Sequence, residues 1–317
     1  GWMAARATGG YSWQTFEDAN CFDICNDWIS AVGYRSWMLS TVGVMDNEYI
    51  GATEGKFHVP GTVKDTTIRV AGDLNQQLNR AVSSDKKDYI FNLGFNFSDM
   101  LYIGMNIGAT VHSYAYEQSI TETACLDAEG KNPFINDFGY DGKTALKSLN
   151  YNYRFSASAS GFYFKIGAIC TPTDNLRIGF AYQAPTRFTV KENMAYSAST
   201  YFENVKFNHT STSPTGSNAY YFSSPSRFNF GLAGTLASRV LLSADYEFTN
   251  YAWCSFSEGK ALNLNYGSLS KDVKNNLDFE HNIRAGIELH ASDAFSVRAG
   301  YNLVLGGEKA YKKDRDN

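Results

Sequence analysis

YIFNLGFNFSDMLYIGMNIGATVH, residues 89–112, decides the fold. Its first half alternates strictly: Tyr89, Phe91, Leu93, Phe95 and Phe97 are separated by Ile90, Asn92, Gly94 and Asn96. After Ser98-Asp99-Met100 the period resumes. Leu101, Ile103, Met105, Ile107, Ala109 and Val111 fall on one side, with Tyr102, Gly104, Asn106, Gly108, Thr110 and His112 on the other. Successive side chains of a strand point to opposite faces, so a period of two marks a strand whose faces differ in chemistry. Two such runs joined by three residues make a hairpin.

Three more hairpins follow the same plan. Phe162, Phe164, Ile166, Ala168 and Cys170 lead into Pro172-Thr173-Asp174-Asn175, and Leu176, Ile178, Phe180 and Tyr182 return. Phe228, Phe230 and Leu232 turn near Ala237-Ser238-Arg239 into Val240, Leu242, Ala244, Tyr246 and Phe248. Ile283, Ala285, Ile287 and Leu289 turn at Ala291-Ser292-Asp293 into Phe295, Val297, Ala299 and Tyr301. Eight strands are thus legible. Their turns are short, whereas the links between hairpins (Glu117 to Asn152, Glu192 to Ser224, Ala252 to Asn276) are long, polar and read as irregular. Short turns at one rim and long loops at the other, with strands of about ten residues, is the pattern of an outer-membrane barrel.

Composition agrees. Aromatic residues make up 15% of the 317, as 21 Tyr, 22 Phe and 5 Trp, with only 6 Pro. Mean hydropathy is −0.33, as expected where every strand carries one polar face. No run of 18 apolar residues exists, so no transmembrane helix is predicted. A formal net charge of −4 implies no nucleic-acid partner. Gly1-Trp2-Met3-Ala4 has no signal-peptide character and Asn317 follows a charged stretch, so both ends are read as cut.

Residues 14–50 break the alternation. Trp28, Ile29, Val32, Trp37 and Met38 are spaced like one helical face, which predicts short helices in a long outer loop. Glu54 to Asp85 reads as loop plus one weak strand. Cys21, Cys25, Cys125, Cys170 and Cys254 show no zinc spacing. An odd count in an exported protein suits a disulfide joining Cys21 or Cys25 to Cys125 or Cys254; the alternative is unpaired thiols acting as small apolar residues.

The residues also resemble a family. Gly161 to Ala168 (GFYFKIGA) followed by Thr171 to Gly179 (TPTDNLRIG) looks like the central hairpin of the long-chain fatty-acid transporter family of outer-membrane proteins. Pro225 to Leu232 running on to Leu242–Phe248, and Ile283–Leu289 with Phe295–Tyr301, are similar to its later hairpins, in the form found in Bacteroidetes. The resemblance implies a fourteen-stranded barrel with an N-terminal plug, taking hydrophobic ligands from a groove near a helical loop and releasing them sideways through the wall. The plug and final strands would then be missing here, and the helical stretch would be the ligand-catching loop.

Candidate residues follow. Trp28, Ile29, Val32, Trp37 and Met38 are expected either to line an apolar ligand groove or to pack the loop's own helices. Lys165, Arg177, Arg187, Arg284 and Arg298, with Asp245, Glu247, Glu280 and Glu288, are read as lumen charges. A deep cation, Arg187 or Arg284, could hold a carboxylate, or opposite charges on neighbouring strands could neutralise one another. No catalytic motif, metal spacing or cofactor site is found in the sequence. The expectation is an all-β fold, an antiparallel transmembrane outer-membrane β-barrel with a helical extracellular loop. Residues 1–87 would form the loop region, 88–303 the hairpins and 304–317 the start of a further loop. The expected function is passive transport of hydrophobic small molecules, fatty acids first, by a monomer amid outer-membrane lipid and lipopolysaccharide. A surface receptor for haem or a host molecule, an adhesin and a lipase are the rival readings.

Overall fold

The stretch at 89–112 does form a hairpin, and alternation of the same kind governs most of the chain. The computed structural model describes residues 2–42, 47–58, 66–237, 239–258, 266–292 and 294–309. Four short helices come first: α1 (Trp2–Ala7), α2 (Trp13–Glu17), α3 (Cys21–Ile24) and α4 (Trp28–Arg35). Small strands β1 (Leu39–Thr41), β2 (Tyr49–Gly51), β3 (Glu54–His58) and β4 (Thr66–Val70) follow. Then come β5 (Leu74–Phe97), β6 (Leu101–Ala124), β7 (Ile135–Asp137), β8 (Lys143–Thr173), β9 (Leu176–Gln183) and β10 (Arg187–Phe202). The remainder is β11 (His209–Thr212), β12 (Gly216–Ser223), β13 (Arg227–Leu236), β14 (Val240–Asn250), β15 (Ser255–Glu258), α5 (Tyr266–Asn276), β16 (Phe279–Ser292) and β17 (Phe295–Leu305).

Several strands outrun the expectation. β5 and β6 are 24 residues each and β8 is 31, against the ten or so expected. Much of Glu117–Asn152 and Glu192–Ser224, read as irregular, is strand. Glu54–Asp85 carries β3, β4 and the first half of β5 rather than one weak strand. These stretches are rich in polar residues, so no apolar row announces them, yet their backbones are paired all the same.

One antiparallel sheet holds 13 strands, in the order β15-β12-β10-β8-β9-β13-β14-β16-β17, with β6 also on β8 and β5 beyond β6. Turn chemistry fixes the hairpins. At Ser98 and Asp99 φ is 52° and 57°, the left-handed pair that a two-sided right-twisted hairpin requires. Asn96 makes this affordable to non-glycine residues, since its Oδ1 accepts from the Asp99 amide at 3.0 Å.

The chain divides into two compact units: residues 1–83, 114–156 and 193–217, and residues 84–113, 157–192 and 218–317. The first has a buried apolar core, in which Phe16, Cys21, Ala31 and Val32 are fully inaccessible. In the second, large apolar residues of the strands are exposed, Phe162 at 75% and Tyr301 at 68%.

Candidate functional site

In the first unit, the face predicted from helical spacing holds for Trp28, Ile29 and Val32 on α4 and is mostly internal, whereas Trp37 and Met38 lie beyond the end of that helix. Asp27 caps α4, its carboxylate accepting from the Ser30 amide at 3.4 Å and from Arg6 Nε at 2.8 Å. This sets α4 so that Val32 enters the core and Trp28 and Ile29 pack against it. Trp28 Nε1 donates to the Phe22 carbonyl at 2.8 Å. Trp37 takes a left-handed φ of 61°, costly for a bulky side chain. It is held there by a stack on His209, ring centroids 3.7 Å apart, and by Phe138 at 4.8 Å. Of the five residues expected to line a groove, Val32 is wholly packing, and Trp28, Ile29 and Trp37 are half-buried supports.

Met38 is buried too, and with Trp2, Leu39, Ile120, Leu149 and Tyr151 it borders a narrow, mostly apolar crevice of 50 Å³ that Glu122 also lines. Trp2 stands 55% exposed at its edge and meets the Tyr151 ring edge-on at 5.9 Å. A second cleft of 450 Å³, with Glu17, Tyr34, Trp37 and Asp137 among its walls, is polar. Burial and the neighbouring Glu17 push the Tyr34 phenol up to about 12, so it stays a neutral donor to that carboxylate.

All five cysteines are free thiols, so the disulfide expected between Cys21 or Cys25 and Cys125 or Cys254 is not formed. Cys21 and Cys25 are instead core residues of the first unit, and Arg35 donates to Cys21 Sγ at 3.7 Å. Burial raises both thiols above the ordinary value.

In the second unit, cross-strand register sorts side chains onto two faces. Tyr182, Phe228 and Phe248 lie on one, directly paired across β9, β13 and β14, with ring centroids 4.8 Å apart at each step. The other face carries Gly179, Gly231, Asp245, Arg284 and Asn302, also directly paired. Arg284 donates to Asp245 at 2.8 Å and to Glu247 at 3.5 Å, and Arg298 to Glu288 at 2.9 Å. Mutual neutralisation thus accounts for Arg284, Arg298 and their three carboxylates. Arg187 departs from the reading more sharply. A Cβ at Gly161, on the face of Lys165, would meet the Phe188 ring at 2.9 Å. Phe188 therefore covers the polar face, and Arg187, one residue earlier, points to the opposite one.

The model of one protein family, outer membrane protein transport protein (OMPP1/FadL/TodX), matches residues 85–304. The chain belongs to this family. It is an outer-membrane protein, and its antiparallel sheet is that of the OMPP1/FadL/TodX β-barrels, whose aromatic face meets lipid and whose polar face lines the interior. Similar solved structures include the Ralstonia pickettii toluene transporter TbuX, at 15% identity and a TM-score of 0.34, with 71% of this chain and 58% of that one covered. The Pseudomonas putida toluene transporter TodX is 10% identical with a TM-score of 0.31, over 73% and 74% of the two chains. The chain therefore spans little more than half the length of TbuX. No curated protein matches it.

The crevice around Met38 was not legible in the sequence. Leu149 and Tyr151 lie in a stretch read as a loop, and only the period of β8 running back to Lys143 could have flagged them.

Proposed function

We propose that the protein carries hydrophobic small molecules across the outer membrane by passive diffusion, long-chain fatty acids being the type case. What supports this is an apolar crevice in a member of an outer-membrane transport family. Trp2, Met38, Leu39, Ile120, Leu149 and Tyr151 border a slot that at 50 Å³ takes only the end of an acyl chain until it opens, and the chain gains about 0.8 kcal/mol for each methylene taken from water. Trp28, Ile29 and Val32 would brace the wall through the packing of α4, and Trp37 would fix the bend that delivers Met38. A narrow slot is easily opened by rotamer changes of Met38, an unbranched side chain with a soft thioether.

The test is uptake of a labelled fatty acid by cells expressing the full-length protein, with lipid extraction of the purified material. Trp2→Asp combined with Met38→Gln should reduce both uptake and co-purified acyl chains while leaving the folded band on gels in place. Uptake equal to the parent's would remove the crevice from the mechanism. A parent protein without acyl cargo that still passes toluene would redirect the reading to small aromatic solutes.

A further inference from the structure

Within the second unit, the faces exchange chemistry at a line where three strands are interrupted. Ala184-Pro185-Thr186 separates β9 from β10, Ser224-Pro225-Ser226 separates β12 from β13, and a single turn at Tyr251–Trp253 separates β14 from β15. Proline has no amide to give a ladder, so it marks breaks of this kind. The ends are tied side by side: the Thr186 amide donates to Ser224 Oγ at 3.0 Å, and the Ser224 amide to the Thr186 carbonyl at 2.9 Å.

On the short-turn side of the line, the lipid face is aromatic and aliphatic. It runs on β13 from Phe228 to Leu236, nine residues, or roughly 20 Å for strands tilted about 40°, close to the apolar band of about 25 Å of such barrels. Past the line the aromatic rings switch sides. Phe188 meets His112 at 5.8 Å and Phe222 at 6.1 Å, and Phe222 meets Phe256 at 5.0 Å, all on the interior face. The outer face becomes hydroxylic. Tyr221 pairs with Ser257 and Ser223 with Ser255, and with Thr189 and Arg187 they border a hollow of 550 Å³, to which Phe188 and Phe222, between them in sequence, also contribute. Arg187 is exposed and forms no ion pair among the described residues.

We propose that this hollow binds the phosphorylated, hydroxyl-rich headgroup of an outer-leaflet lipid. The position is the one such a headgroup would need, immediately past the end of the lipid-facing aromatic rows. The chemistry fits as well. Arg187 supplies a forked cation for phosphate, while four hydroxyl side chains and Tyr221 can exchange hydrogen bonds with sugar hydroxyls. A surface meant for acyl chains would not be lined with serine, and one meant only for water has no need of a concavity holding a lone guanidinium. The assignment is independent of which solute the protein carries.

The experiment is native mass spectrometry of the full-length protein released from vesicles containing bisphosphorylated lipid A or its dephosphorylated form. The parent should retain the phosphorylated lipid and lose the other. Arg187→Glu should cut retention by about tenfold, the loss expected for one charge-assisted contact, whereas Arg298→Gln on the interior face should leave it unchanged. Should Arg187→Glu fail to fold, the phosphorylated and dephosphorylated arms of the parent still decide. Equal retention of the two lipids, parent-like retention by Arg187→Glu, or displacement by excess inorganic phosphate alone would overturn the proposal.

Discussion

The helical unit and the strands of the second unit spend similar residues in opposite ways. Phe16, Tyr49 and Val32 are hidden around α2 and α4, while Phe91, Phe162 and Tyr301 stand 63%, 75% and 68% exposed on their strands. The first pattern is that of a fold solvated by water, which gains from removing apolar surface. The second is that of a fold whose solvent is itself apolar, where aromatic rings are left outside and charges are drawn in to neutralise one another. Exposed apolar surface in this protein is therefore a statement about its solvent rather than about instability.

The comparison can be broken in four places. Phe16→Ala should cost the helical unit about 3–5 kcal/mol through the cavity it leaves, read as faster proteolysis between residues 2 and 42 while the sheet of the second unit stays protected. Equal protection would mean that the unit has no core of its own. Leu232→Arg, in the middle of the lipid face, should destabilise the folded protein in vesicles by about 2–4 kcal/mol. Asn229→Arg, on the polar face opposite Glu247, should be tolerated, and urea titrations that fail to separate the two would dismiss the assignment of faces. Arg284→Gln should cost less than about 1 kcal/mol, since its ion pairs are partly exposed and screened, and should leave fatty-acid uptake at the parent's level.

The smallest effect concerns Cys21 and Cys25, whose thiols burial holds above the ordinary value near 9.0. A thiol with a pKa raised by folding contributes fully below the free-thiol value, and that contribution falls away as pH climbs through it, because the unfolded chain gives up its protons first. Resistance of the helical unit to proteolysis should therefore decline between about pH 8 and 10, and less so in Cys21→Ala/Cys25→Ala. Both thiols should also label more slowly than Cys125 and Cys170, which are half-buried. Rapid labelling of all five would contradict the burial.

How much was legible depends on whether residues act along an unbroken strand. The four hairpins and the identity of the lipid face were visible as alternation, since strand geometry fixes parity locally; of the expected turns, Ser238 and Asp293 lie outside the described residues. The pairing of Arg284 with Asp245 was visible only as one of two options, because it depends on the register between β14 and β16. Of the five residues expected on one helical face, Trp28, Ile29 and Val32 fall on α4 and Trp37 and Met38 beyond it, and spacing alone cannot say whether an apolar face meets a ligand or its own core. Val32 lies on α4 and packs inside the core, whereas Met38, past the end of the helix, is buried in that core and also borders the crevice.

The amino-acid order by itself therefore settled the class of fold and the solvent it is made for, through a two-residue period that needs no partner to be read. Tertiary structure alone decided which face Arg187 occupies, that the cysteines stay unpaired, and where an apolar crevice opens. Counting by twos loses its phase at Pro185 and Pro225, and only the packing of Phe188 over Gly161 restores it.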